Sequence, residues 1–375
     1  MAKRTYDEYI TAFKVLKYSF RMNRMDDSIE CNGERMSDGL AAKIESQMID
    51  TGFPSALDTR RNWTRLAFEN SYHPIIEYLD SLQWLGQDEL GQLLNCFDFE
   101  HDEISRVFIR KWLLGCVGKV YEQDQNYMLV IDGNQGLGKS YFARWLSGPM
   151  SRYFVEGALN PDSNDTKLRV VSNWIWEVGE LQYTTRKSDI EALKNIITQV
   201  QMTVRPPYGR YDIEKFVLAN FIGTINETGA GFLNDPTGTR RFAVVKTRSI
   251  DWSYTKLNVE QLWAQITAQY KAGERGTLTP EEKQQQALIN AGYDTTSTAL
   301  ELLLKHYEVD PKKINNWTPI ADIVTDLELM GLKGNQYQNQ KEIASTLTKL
   351  GCIKSTSGAD TGYGRLTCYQ GVKKK

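Results

Sequence analysis

The sequence predicts an α/β protein whose core is a mainly parallel sheet carrying a phosphate-binding loop. A mostly helical domain precedes this core and a winged-helix-like domain follows it. Three observations predict this. The short apolar run "YMLVI" (127–131) leads directly into "GNQGLGKS" and then into the helical "SYFARWLSG". "RVVSNWIWEV" (169–178) and "KFVLANFIGTIN" (215–226) are two further buried-strand candidates, and strands alternating with helices suggest a parallel sheet. Residues 298–375 read as three amphipathic helices and then two strands around a glycine-rich turn, the order of a winged helix.

From the N-terminus, "SIECNGERM" sets Asn32-Gly33 between short alternating segments, a hairpin signal. "SDGLAAKIESQMIDTG" reads as a helix with Asp38 as its N-cap and Gly52 just past its end. "NWTRLAFENSYHPIIEYLDSLQWLG" reads as two helices broken at His73-Pro74. Residues 1–100 are thus expected to form a helical, collar-like assembly domain, with 101–275 as the α/β domain. "KAGERGTLTPEEKQQQ" opens an expected linker, 276–297, that restarts as a helix at Thr279 with Pro280 at N1. In the last segment, "TALELLLKHY", "TPIADIVTDLELMGL" and "NQKEIASTLTKLG" are the helices and "CIKSTSGADTGYGRLTCYQ" the strands. A small helical domain with a hairpin is the alternative, and a winged helix need not bind DNA.

Composition narrows the class. Hydrophobic residues at 41% and charged residues at 25% suit a soluble globular chain with a sizeable core. No apolar run is long enough to span a membrane, and "MAKRTYDEYITAF" lacks a signal-peptide core. The five scattered cysteines form no C-x-x-C pair, which argues against a zinc site or disulfide framework and fits a reducing cytoplasm. The net charge of −2 means that any nucleic-acid contact must concentrate its basic groups locally.

The chemistry centres on Gly133, Asn134, Gln135, Gly136, Leu137, Gly138, Lys139 and Ser140, which match G-x-x-x-x-G-K-[ST], with Tyr141 next. Glycines let backbone N–H groups close around phosphate oxygens, and the helix N-terminus adds its positive end. Lys139 would neutralise β- and γ-phosphate charge and Ser140 would ligate Mg²⁺, which makes ATP and Mg²⁺ the expected cofactors. Hydrolysis also needs carboxylates at a neighbouring strand end. Glu177 and Glu180 in "NWIWEVGEL" supply them, sharing the metal and water-activating roles; a surface turn with two acids is the alternative. Asn226 ends "FIGTIN", where a polar residue can reach the γ-phosphate or the attacking water, the sensor-1 position of AAA+ ATPases. In "QMTVRPPYGRYDIEKF", Arg205, Tyr208, Arg210 and Lys215 interleave basic and aromatic groups, which suits phosphate contacts and a stacking surface for single-stranded nucleic acid; a structural loop is the other reading. "TGTRRF" leaves Arg240 and Arg241 as solvated surface, DNA contacts or ATPase-site groups.

In this order, "GNQGLGKS", "WIWEVGEL", "LKNIITQVQMTVRPPYGR" and "FIGTINETGAGFLNDPTGTRRFAVV" resemble the virulence-associated E proteins of phages, plasmids and pathogenicity islands, which are superfamily 3-type helicase ATPases. The resemblance runs from about residue 20 to 275. It implies an AAA+ P-loop core assembling as a homo-oligomeric ring, usually a hexamer, that translocates on DNA during replication with 3′ to 5′ polarity. Carried over by position, Lys139 and Ser140 are Walker A, Glu177 and Glu180 Walker B, and Asn226 sensor 1. The 205–215 stretch matches the DNA-contacting hairpin. Arg240 and Arg241 match the arginine motif that completes the adjacent subunit's site.

Many relatives carry a primase-polymerase domain ahead of the helicase. The short run before the ATPase motifs here implies priming by a separate primase or origin-binding protein. Relatives also often carry an acidic residue where this chain has "MTVRPPYGR". The expected function is an ATP-dependent replicative helicase acting on single-stranded and forked DNA. The alternatives are an AAA+ loader without processive unwinding and a non-catalytic origin-binding protein, the latter disfavoured by Glu177, Glu180 and Asn226.

Overall fold

A computed structural model describes residues 4–159, 163–179, 181, 187–206, 211–226, 239–293, 298–312, 314–333, 335–356 and 365–375. The chain divides into two compact units, Met1–Tyr293 and Asp294–Lys375.

The first unit opens with α1 (Tyr6–Val15), β1 (Phe20–Asn23), β2 (Ser28–Cys31), β3 (Glu34–Arg35), α2 (Asp38–Asp50), α3 (Ala56–Glu69), α4 (Pro74–Ser81) and α5 (Glu89–Asn95). The strands form an antiparallel meander. Asn32 and Gly33 turn β2 into β3 with φ of 54° and 82°, the left-handed pair that a two-residue hairpin turn requires. Ser37, not Asp38, caps α2: its side chain accepts from the backbone N of Leu40. Asp38 is already the first helical residue, where its charge suits the helix dipole.

His73 caps α4, its Nδ1 accepting from the backbone N of Ile76 at 3.4 Å. Burial, with Arg24 and Lys215 nearby, holds its imidazole down at about 4. A histidine that resists protonation only when folded contributes stability in full above pH ~6.5, and that contribution is lost as pH falls toward 4. The loss is expected to be on the order of 3 kcal/mol. Urea midpoints for wild type and His73→Asn, which keeps a capping oxygen, should therefore diverge between pH 7 and 4.5. Equal acid sensitivity of the two would contradict it.

The central sheet follows. Its elements are β4 (Phe97–Phe99), α6 (Asp102–Tyr121), β5 (Met128–Asp132), α7 (Lys139–Leu146), β6 (Phe154–Glu156), α8 (Asn164–Ser172), β7 (Ile175–Val178), α9 (Lys187–Thr198), β8 (Gln201–Val204), β9 (Ile213–Phe216), β10 (Asn220–Ile225), β11 (Phe242–Ile250), α10 (Val259–Lys271) and α11 (Pro280–Ala291). The strand order is β4-β11-β5-β10-β7-β6, parallel throughout except for the edge pair β4–β11. Alternation along β5 explains the layering. Leu129 and Ile131 join one core with Trp112 of α6 and Ile266 of α10. Met128 and Val130 join the other with Val171 of α8 and Ile196 of α9. Both faces are covered, as a parallel sheet requires.

Two sequence expectations change. Residues 169–178 are not one strand: α8 ends at Ser172 and β7 starts at Ile175, because Val170 and Val171 bury their side chains from a helix. Residues 215–226 also break. The chain leaves the β8–β9 hairpin at Phe216 and enters β10 at Asn220, and Leu218 and Ala219 donate to Val170 O between them. The helix expected to restart at Thr279 is present as α11, with Thr279 in a capping box and Pro280 in the first turn, and it belongs to the first unit. β11, which lies between β4 and β5 in the sheet, has no counterpart among the expected strands.

The second unit contains α12 (Thr298–His306), β12 (Tyr307–Val309), β13 (Trp317–Pro319), α13 (Ile320–Leu329), α14 (Gln336–Lys349), β14 (Lys354–Ser355), β15 (Cys368–Gln370) and β16 (Val372–Lys374). The helices close on a core of Leu303, Ile323, Val324, Leu327, Ile343 and Leu347. β13, β15 and β14 form an antiparallel sheet, and β12 pairs with β16. Among the described residues, no helix is long and apolar enough to cross a membrane.

Candidate functional site

β5 ends at Asp132, and the chain passes through Gly133–Gly138 into α7. Gly136 and Gly138 have φ of 87° and 89°, which glycine adopts without strain. Gly138 is the N-cap of α7 and makes no side-chain cap, so the N–H groups of the first turn have no side-chain acceptor there. A Cβ on Gly138 would lie 2.5 Å from the Trp252 ring, and one on Gly133 would lie 2.5 Å from the backbone O of Thr247. The loop is thus fitted against β11 and the turn after it. Asn134, Gln135 and Gly136 form its exposed crest, with Leu137 half-buried behind and Tyr141 exposed on α7.

Side chains from neighbouring strand ends converge beneath this loop. Lys139 is buried. Its Nζ donates to the carbonyl oxygens of Gly133 and Asn134 and, at 3.3 Å, to Oδ1 of Asn226. Asn226 directly follows β10, whose Ile225 is in register with Asp132. Ser140 Oγ donates to Oε1 of the buried Glu177 at 2.8 Å, and Thr224 Oγ1 donates to the same oxygen at 3.2 Å. Burial pushes the Glu177 carboxyl above its ordinary range, against the pull of these two hydroxyls. Burial likewise lowers the Lys139 ammonium, with the Asp132 charge opposing it. Asp132 is itself raised by burial, opposed first by a 2.6 Å hydrogen bond from the Tyr293 hydroxyl. A lysine, a hydroxyl, a carboxylate and an amide thus meet at the carboxyl edge of a parallel sheet, where α/β folds place their ligands.

Lys139, Ser140, Glu177 and Asn226 of the expected set come together here. Glu180, Tyr208 and Arg210 lie outside the described residues. Arg205 is exposed near the turn of the β8–β9 hairpin, 3.6 Å from Asp212. Lys215, expected as a DNA contact, is held elsewhere in this structure: its Nζ donates at 2.8 Å to both Met25 O and Asp27 Oδ2, and its side chain is only 12% exposed. It fastens the hairpin to the β1–β2 turn.

Arg240 and Arg241 form a short 3₁₀ turn just before β11. Phe242 pairs with Met128 at the start of β5, whereas Lys246 pairs with Asp132 at its end. The arginines therefore sit at the opposite edge of the sheet from the glycine loop, about 13 Å of strand away. α11 holds their backbone. Gln286 Nε2 donates to Arg240 O and Phe242 O, and Asn290 Nδ2 donates to Thr239 O and Phe242 O. Arg240 is exposed, while Arg241 turns its Nε inward, buried and without a hydrogen-bond partner among the described residues. Both line a cleft of about 530 Å³ with Gln125, Thr277 and Lys283.

Thr224, Asp132, Tyr293 and Trp252 were not singled out from sequence. Thr224 carried a signal, as the polar residue inside the apolar "FIGTI"; Trp252 and Tyr293 carried none, since only the sheet order brings them to the loop.

The fold and the site together define a mixed α/β protein with a parallel-rich central sheet and a lysine-bearing glycine loop at its carboxyl edge. The virulence-associated protein E-like domain model matches residues 79–295, more than half of the chain, and the protein belongs to that family. The match starts well after the expected residue 20. Among solved structures, the chain is similar to the apo structure of the NrS-1 C-terminal region (305–718), at TM-score 0.56 and 14% identity over 99% of this chain and 100% of that one. A second structure of that region, the A form, gives a TM-score of 0.54 at 12% identity, covering 98% of this chain and 99% of that one. These likenesses concern the fold. No curated protein matches.

Proposed function

We propose that the protein is a ring-forming, ATP-hydrolysing DNA helicase of a phage or mobile element, with an AAA+ P-loop core of superfamily 3 type. One observation carries the reading. Lys139, Ser140, Glu177 and Asn226 meet at one edge of the sheet, while Arg240 and Arg241 are held by α11 at the other. A loop that cradles phosphate and arginines that face away from it complete one another only between subunits. Membership of the virulence-associated E-like family agrees with this reading.

Mg²⁺ accompanies ATP in such chemistry. The Ser140 hydroxyl and Glu177 carboxylate are hard oxygen donors already in contact, so the residues fit a cation that otherwise keeps waters and phosphate oxygens. Bound there, it would supply neutralisation of phosphate charge. Lys139 would bind the β- and γ-phosphates, Asn226 would orient the attacking water, and Glu177, with Glu180, would accept its proton. Arg205, Tyr208 and Arg210 around the hairpin turn would grip single-stranded DNA. The helix-strand-strand-helix-helix-strand-strand order from α12 to β15 supports a winged-helix role in duplex or partner recognition.

The test is strand displacement on forked DNA with Lys139→Ala as control. ATP-dependent displacement by wild type alone is expected. Turnover without displacement on any DNA geometry would leave a loader instead.

A further inference from the structure

We propose that Trp252 and Tyr141 form the platform on which the base of the bound nucleotide stacks. The proposal rests on the phosphate-site reading above and extends it to the other end of the same ligand. β11 runs parallel to β5 as its direct neighbour, so the turn that follows Ile250 emerges beside the loop that follows Asp132. Asp251 caps that turn, its carboxylate accepting from the backbone N of Ser253 at 2.9 Å. The cap sets Trp252 against Gly138, close enough that no side chain fits between them. Tyr141, one residue past Ser140, stands beside it with ring centroids 5.1 Å apart and planes at 40°.

Both rings stay open to solvent, Tyr141 at 42% and Trp252 at 47% exposure. A lone exposed aromatic residue is ordinary. These two form a pair, and the pair is anchored. Trp252 continues to Tyr254 at 6.4 Å, and Tyr254 packs edge-on against Trp145 at 5.2 Å and Phe142 at 5.8 Å. Tyr254 and Phe142 are fully buried, so the exposed pair is the outer end of a rigid aromatic stack.

Its position names its occupant. A nucleoside triphosphate held by its phosphates at the start of α7 carries an aromatic base on the same molecule, and Trp252 and Tyr141 offer it aromatic faces beside that loop. Stacking accepts any base, because each has a π-face. A purine covers more ring than a pyrimidine, so MgATP and MgGTP should bind more tightly than MgCTP.

Calorimetric titration with MgATP, MgCTP and inorganic triphosphate with Mg²⁺ tests this. Trp252→Leu is expected to weaken MgATP binding about tenfold while leaving triphosphate binding unchanged, and Trp252→Phe should retain most of the affinity. Tyr141→Ala, a change at an exposed position, should act in the same direction. Equal losses for MgATP and triphosphate in both Trp252→Leu and Tyr141→Ala would mean that the rings only shape the loop, and would overturn the platform. Undiminished MgATP affinity in both variants would overturn it too. If wild type fails to bind triphosphate, or Lys139→Ala binds it equally well, the phosphate-site reading itself falls.

Discussion

Arg240→Ala is expected to lower ATP turnover by about 10³-fold or more while leaving ATP affinity nearly intact. The geometry sets both halves of that expectation. Arg240 precedes the strand position paired with Met128, and the glycine loop follows the position paired with Lys246, so the guanidinium lies at the far edge of its own sheet. On the proposed reading it lies out of reach of the nucleotide held by its own subunit's loop. It can stabilise charge on a neighbour's transferring phosphoryl group, and a preorganised donor does so far better than water. The backbone hydrogen bonds from Gln286 and Asn290 supply that preorganisation. Arg241→Ala should lose turnover as well, with some of its effect arising through Arg240, since its Nε is turned inward. Mixing Arg240→Ala subunits with Lys139→Ala subunits should restore part of the activity, because some interfaces then pair an intact loop with an intact arginine. Absence of rescue at every mixing ratio would remove the trans assignment. Gln286→Ala, which frees the turn without touching the guanidinium, should lower turnover less than Arg240→Ala.

The glycine loop was legible in sequence because its chemistry is local: eight consecutive residues carry the turn, the lysine and the hydroxyl, and an apolar strand precedes them. Glu177 and Asn226 were legible for a similar reason, each closing a buried run. What the sequence hid depended on sheet order. β11 directly follows a basic pair, and its second half pairs only with the short edge strand β4, so its "KTRS" alternates like a loop. Without β11 in place, neither Trp252 nor the opposite-edge position of Arg240 can be read. The place of Lys215 was hidden for a different reason. Basic residues around a Pro-Pro-Tyr-Gly turn suggest a nucleic-acid surface, but Lys215 sits beyond the turn on β9 and meets Asp27, far away in the chain. α11 was legible from its Thr279-Pro280 start, but its role was not, because its inward groups, Gln286 and Asn290, bind backbone carbonyls rather than fill an apolar core.

Lys139→Ala and Glu177→Gln are both expected to abolish the proposed ATP turnover, but at different steps. Lys139 Nζ already bridges two loop carbonyls and Asn226, so alanine removes the charge for phosphate and loosens the link between loop and strand tip. Binding and turnover should fall together. Glu177→Gln keeps an oxygen that can accept from Ser140 and Thr224 and removes only the charge. ATP should still bind, while turnover drops by about 10²–10⁴-fold, the usual worth of a positioned general base. Stability should move the opposite way. Burial raises the folded-state carboxyl, so ionising Glu177 costs folding free energy once pH exceeds its unfolded value. Glu177→Gln should therefore raise the melting temperature at pH 7 and match wild type below pH ~4, where both side chains are neutral. A variant less stable than wild type at pH 7 would show that the two hydroxyls outweigh burial. A melting-temperature gain accompanied by retained turnover would instead move the general base to Glu180. Together, affinity, turnover and the pH dependence of melting separate a strained catalytic carboxylate, kept at a cost to the fold, from one retained for packing.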